Sequence, residues 1–125
     1  NYFVDAGGDI EARGKVWKVG IRNPFDVAQI VKSLIIKDKG VATSGNYERG
    51  KHIYIPRTGQ PADAIASITV IGPNIYEADR FATAAFAMDL AGINFIENRS
   101  DLEGYMINKE GIATLTRGFK NYEAN

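Results

Sequence analysis

Cysteine is absent from the 125 residues, which excludes disulfides and thiol chemistry but leaves the compartment undecided. Histidine occurs once, as His52, so a zinc site built from His and Cys lacks its ligands. Any metal must then be held by oxygen, which selects a hard cation such as magnesium or calcium. No charge of one sign dominates. The 15 basic and 15 acidic residues cancel, so there is no electrostatic footprint for nucleic acid or an anionic membrane surface. No apolar run approaches the length of a transmembrane helix, and neither internal repeats nor low-complexity tracts occur. The opening Asn1-Tyr2-Phe3-Val4 has no signal-peptide pattern and reads as the middle of a strand, so the chain is expected to be a piece of a longer protein. Its length suits one compact domain.

What is present is a succession of short strands followed by two helices. Residues 2 to 6 read as a strand ending in the tight turn Gly7-Gly8-Asp9. Val16 to Ile21 alternates, with Trp17, Val19 and Ile21 on one face, and Asn23-Pro24 breaks it. Val27 to Ile36 fits both helical and strand periods. The reading preferred is a strand near 33 to 37, a turn at Asp38-Lys39-Gly40, and Val41 to Ser44 as its hairpin partner. A short strand is expected at 51 to 54, a loop over 55 to 63, and a clear strand from Ile65 to Ile71. Gly72-Pro73 ends that strand. Asn74 then caps a helix, with Glu77 in the capping-box position. Ala78, Phe81, Ala82, Ala85 and Phe86 form the helix's apolar stripe, which runs to about Met88. A second helix over 90 to 97, a hairpin from 104–107 to 112–116 and a loose polar tail after Phe119 complete the chain. The predicted class is α+β, a mostly antiparallel sheet with two helices on one face. The strand near Tyr2 to Asp5 is expected to leave a bare sheet edge, which invites pairing with a second copy as a homodimer.

Several residues carry potential chemistry, each beside an ordinary structural role. Gly7 and Gly8 permit close approach of a ligand, and Asp9 can accept from ribose hydroxyls; a Gly-Gly hairpin turn explains the same residues. Thr43, Ser44 and Gly45 offer hydroxyls and a pliant backbone to phosphate oxygens, and also suit a strand-end turn. Arg49 and Arg57 can pair with a diphosphate or simply be solvated. His52 titrates near neutrality and can serve as a general base, or bond to backbone within a strand. Asp79 and Thr83, four apart, share a helix face and supply half of a hard-cation site. An acid in a first helical turn and a threonine bonded back to a carbonyl are equally compatible with that spacing.

In order, the chain carries Ala6-Gly7-Gly8-Asp9-Ile10, Val41-Ala42-Thr43-Ser44-Gly45, Tyr47-Glu48-Arg49-Gly50, His52-Ile53, Pro56-Arg57-Thr58-Gly59, Ser67-Ile68-Thr69-Val70, Ala78-Asp79 and Ala82-Thr83-Ala84. No one of these is specific. Their order resembles the ApbE family of magnesium-dependent FAD:protein FMN transferases, from the first residue to about Phe119. The resemblance implies the C-terminal portion of an ApbE-like, T-fold-related domain over residues 1–125. It also implies transfer of FMN from FAD to a threonine or serine hydroxyl of a target protein, with release of AMP.

By position, Asp79 and Thr83 match the family's magnesium ligands, and His52 matches the histidine that takes the acceptor's proton. Gly7, Gly8, Asp9, Thr43, Ser44, Gly45, Ile53 and Tyr54 match its FAD cleft. The implied partners are FAD as substrate and a protein acceptor of covalent FMN. The family's preceding half adds flavin contacts, a lysine and a backbone metal ligand that this chain does not contain, so alone it is expected to be an incomplete enzyme. Family members are often membrane-anchored extracytoplasmic lipoproteins, though others are cytoplasmic. One departure is Ile55, where the family often has Asp. A short link between Arg49 and His52 is another, shared by some members. A relative that binds or hydrolyses FAD without transfer, or an inactive structural fragment, are the alternatives.

Overall fold

The computed structural model describes residues 1–6, 8–45, 54–55, 60–61 and 64–124. Strands β1 (Tyr2–Ala6) and β2 (Asp9–Arg13) form a hairpin with Ala6 opposite Asp9. Gly8, at φ 100°, takes the left-handed turn that a side chain would resist. Strands β3 (Trp17–Asn23) and β4 (Asp26–Ile36) form a second, longer hairpin. After β4 the chain turns through Asp38, at φ 55°, into β5 (Lys39–Gly45). The described parts of the next segment are β6 (Tyr54–Ile55) and β7 (Gln60–Pro61), paired antiparallel. Next come β8 (Ile65–Gly72), α1 (Ile75–Ala87), a 3₁₀ turn over Asp89–Ala91, α2 (Gly92–Glu97), β9 (Glu103–Asn108) and β10 (Ala113–Leu115).

Among the described residues, the main sheet has six strands in the order β1-β2-β5-β8-β9-β10, every pairing antiparallel. Both of its faces are covered. On one, Ala42, Ile68, Val70 and Met106 pack against Phe81, Phe86, Ile93 and Ile96 of the two helices. On the other, Ile10, Val41, Ile71 and Tyr105 pack against Val19, Ile21, Leu34 and Ile36 of the β3–β4 hairpin and against Phe119. Strand β8 runs through the middle and is buried at all 8 positions, because alternate side chains feed two different cores. Strand β1 lies at one edge of the sheet, with Tyr2 and Val4 exposed.

The expected α+β class, the antiparallel sheet and the helices on one face are all present. Asn74 caps α1 as expected, its side-chain oxygen accepting from the Glu77 N–H at 2.8 Å, and the buried stripe comprises the five residues anticipated. The predicted alternation of Trp17, Val19 and Ile21 also holds.

Four readings need correction. The expected loop over 55 to 63 contains Gln60–Pro61 as strand β7, paired with Tyr54–Ile55. Asp26 to Ile36 is strand throughout, with no helical portion. Its partner is β3 rather than the Val41–Ser44 segment, which joins β2 and β8 in the other sheet. The turn at Asp38 therefore passes the chain between layers and does not close a hairpin. The tail is also anchored. Phe119 is fully buried, Phe119–Tyr122 forms a 3₁₀ turn, Glu123 bridges Leu34, and the Ala124 N–H donates to the Ser33 carbonyl at 2.8 Å. One buried aromatic outweighs the polarity of its neighbours.

Candidate functional site

Ile75, Asp79 and Thr83 occupy successive turns of α1, so they form one row along the helix. The row is anchored to the sheet at both ends. At its foot, the Ile75 N–H donates to Glu11 Oε1 of β2 at 2.6 Å. At its head, Thr83 Oγ1 lies 3.5 Å from Ser44 Oγ of β5. Asp79 stands between them, half-buried, while Thr83 is exposed. A carboxylate and a hydroxyl with solvent access are oxygen donors of the kind magnesium accepts. Among the described residues, no group of three or more His, Cys, Asp or Glu side chains gathers that could hold a metal by itself.

Such close approach depends on what α1 and β5 lack. A Cβ on Gly40 would fall 2.1 Å from the Asn74 carbonyl carbon, so only glycine lets β5 pass beneath the start of α1. Higher on the helix, the contact face is built from Ala78, Ala82 and Ala85, all fully buried. The foot of the row is reinforced by Arg13. Its Nε donates to Glu11 Oε2 at 3.0 Å, and its terminal nitrogens reach the Pro73 and Asp38 carbonyls at 2.8 and 3.2 Å. Burial alone would push the Glu11 carboxyl up. The Ile75 N–H, the Arg13 guanidinium and the Tyr2 hydroxyl together outweigh it and hold the pKa below its ordinary value.

Strand alternation splits the Thr43–Ser44–Gly45 segment between the two faces of the sheet. Ser44 points to the helices and is 1% exposed. Thr43 points to the other face, where its hydroxyl pairs with that of Thr69 at 2.8 Å. On that side Thr43 lines a cleft of about 470 Å³ between the two hairpins. Gly8 lies at its rim. Phe3, Ile10 and Val19 give it apolar walls, and Asp5, Lys18 and Arg22 supply polar groups. Its volume falls in the ordinary range for small-molecule sites. Gly45 ends β5 opposite Ser67. Asp9, half-buried, begins β2 and by alternation shares the helix face with Glu11.

The structure thus brings Ser44 and Thr83 together on the helix face, with Asp79 one turn before Thr83 on the same helix, and Gly8 and Thr43 together at the cleft on the other. Tyr54 lies in β6, opposite Pro61. Gly7, Arg49, His52, Ile53 and Arg57 lie outside the described residues. Sequence reading missed Glu11, Arg13, Lys18 and Arg22. The signal for the first pair was there: Asp9-Ile10-Glu11-Ala12-Arg13 alternates polar and apolar and continues straight out of the Gly-Gly turn.

Among the described residues, no helix is long and apolar enough to cross a membrane. The sequence profile of the ApbE family matches residues 1–106. The chain is 33% identical over 136 residues to the FAD:protein FMN transferase of Klebsiella pneumoniae, covering 97% of this chain and 37% of that protein. It is also 33% identical over 125 residues to the enzyme of the same name from Escherichia coli K12, covering 88% and 36% respectively. The ApbE protein of Thermotoga maritima superposes with a TM-score of 0.84 at 29% identity, over 99% of this chain and 45% of that one. The flavin transferase ApbE of Vibrio cholerae gives 0.79 at 28%, over 98% and 44%. The chain therefore spans little more than a third of the length of these curated relatives. On the profile match and these identities, it belongs to the ApbE family.

Proposed function

We propose that this chain forms the C-terminal portion of a flavin transferase domain, and that the whole protein transfers FMN from FAD to a threonine or serine hydroxyl of a target protein, releasing AMP. The observation that carries the proposal is the row on α1. Thr83 stands beside Ser44 and Asp79 one turn before it, two oxygen donors on one helix row, in a chain whose relatives are FAD:protein FMN transferases. Those donors suit magnesium, which typically keeps several waters and is completed by substrate phosphates. When bound, the ion supplies charge neutralisation at the diphosphate, the main electrostatic requirement of such transfers.

The remaining steps fall to the chain's own groups. Gly7, Gly8, Asp9, Thr43, Ser44, Gly45, Ile53 and Tyr54 bind the FAD, with its diphosphate on the side of the sheet where Thr83 meets Ser44. The acceptor hydroxyl oxygen bonds to the phosphorus of the FMN half. The bond from that phosphorus to the bridging oxygen breaks, and its electron pair leaves on AMP. His52 takes the hydroxyl proton.

The test uses the full-length protein with FAD, MgCl₂ and a flavin-acceptor domain. Flavin fluorescence that stays on the denatured acceptor, with AMP released in equal amount, is the expected result. Free FMN and AMP without an adduct would make the protein an FAD hydrolase, and intact bound FAD would make it a binder. Either outcome overturns transfer. His52→Asn should slow single-turnover transfer by about a hundredfold while FAD still binds. An unchanged rate reduces His52 to a structural residue.

A further inference from the structure

We infer that Glu11 is a positioning residue for the metal-binding row of α1; the inference rests on the magnesium reading proposed above. Glu11 belongs to β2, not to the helix, yet its Oε1 receives the N–H of the first helical residue, Ile75, at 2.6 Å. One turn later in the same row stands Asp79, and one turn further Thr83. A helix is stiff along its hydrogen-bonded rows, so fixing the first N–H fixes where both later side chains emerge. The head of the row, where Thr83 faces Ser44 at 3.5 Å, is too long a contact to set the register alone. Glu11 is in turn held by two donors, one of which also ties the chain just ahead of the helix. Arg13 Nε lies 3.0 Å from Oε2, the Tyr2 hydroxyl lies 3.2 Å from the same oxygen, and Arg13 clasps the Pro73 carbonyl just ahead of the helix. Asn74 caps the same helix but draws its bond from within the turn itself. It stabilises α1 without tying it to the sheet, which makes it the natural control.

The experiment titrates the full-length protein and its variants with MnCl₂ in place of magnesium, counting free Mn²⁺ by electron paramagnetic resonance. Melting temperatures are recorded in parallel. Glu11→Ala should weaken Mn²⁺ binding about tenfold, the lower end for loss of a group that orients metal ligands. Glu11→Gln keeps an acceptor oxygen for the Ile75 N–H but turns an amide NH₂ toward the Arg13 Nε–H, and should bind Mn²⁺ more tightly than Glu11→Ala and less tightly than the wild type. Glu11→Asp keeps the charge but withdraws the oxygen, and should be weakened. If Glu11→Ala does not fold, the contrast between Gln and Asp decides. Asn74→Ala should lower the melting temperature and leave Mn²⁺ affinity unchanged. Equal Mn²⁺ affinity in all Glu11 variants, with only the melting temperature moved, overturns the inference while the metal reading survives. A wild-type protein that binds no Mn²⁺ overturns both.

Discussion

The two faces of the central sheet are built on different spacings. On the helix face, Gly40, Ala78, Ala82 and Ala85 let the backbone of α1 come down close to β5, so that polar side chains from helix and strand meet directly. On the hairpin face, Val19, Ile21, Leu34, Ile36 and Phe119 hold the layers apart, and the gap beyond them opens into the cleft of about 470 Å³. Small residues make a tight contact on one face, and large ones leave room on the other. Strand β5 serves both faces through two successive residues, Thr43 and Ser44. A one-residue slip of β5 would exchange them, so its register is strongly specified by packing on both faces.

The sharpest way to break the comparison is on the helix face. Asp79→Ala should abolish magnesium-dependent transfer in the full-length protein and leave its melting temperature close to wild type. Asp79 is only half-buried, and no described ion pair uses it. Wild-type transfer in the variant would remove Asp79 from the site.

Next comes a matched pair of core truncations. Phe86 is fully buried under the helices, and Phe119 is fully buried against the hairpin layer, stacked on Tyr105 at 5.3 Å. Phe86→Ala and Phe119→Ala should each cost about 3–5 kcal/mol by denaturant unfolding. That is a large share of the stability of a domain this size. They should part company on metal binding. Phe86→Ala loosens the helix that carries Asp79 and Thr83 and should weaken Mn²⁺ affinity. Phe119→Ala frees the tail on the other side and should not. Equal losses of metal affinity would mean that the faces are not mechanically separate.

The helix face was also the more legible in the sequence. Asn74, Glu77 and the stripe from Ala78 to Phe86 obey local rules, since a cap and a 3.6-residue period depend on neighbours within one or two turns. The hairpin face was not. Whether Val41–Ser44 pairs with β4 or β2 is decided by layer packing many residues away, and a polar turn such as Asp38-Lys39-Gly40 reads the same either way. Strand β4 misled for a related reason: Val27, Ile30, Val31 and Leu34 have helical spacing, but pairing along the whole length of β3 overrides it. The resemblance proposed the candidate site as a set of residues, and the pairing of Ser44 with Thr83 followed from the fold. The split between Thr43 and Ser44 was in principle readable from strand alternation, had the segment been placed at the centre of the sheet.

The smallest expected effect is a pH dependence that separates the anchor of the row from its ends. Desolvation raises the Glu11 pKa, but hydrogen bonds from Ile75 and Arg13, the charge of Arg13 and the hydroxyl of Tyr2 bring it below the ordinary 4.5. A carboxyl depressed in the folded state binds its proton more weakly there than in the unfolded chain. Its contribution to stability is therefore complete above the ordinary value and is lost as pH falls through the folded one. Glu11→Gln has no such proton to gain. Unfolding free energies of wild type and Glu11→Gln, compared between about pH 7 and about pH 3, should converge as acid is added, with the gap closing only below the ordinary carboxylate range. The gap should be small at its widest, because desolvation opposes the hydrogen bonds. A gap independent of pH would mean that Glu11 holds α1 by shape alone, and that its charge contributes nothing to the anchoring of the helix face.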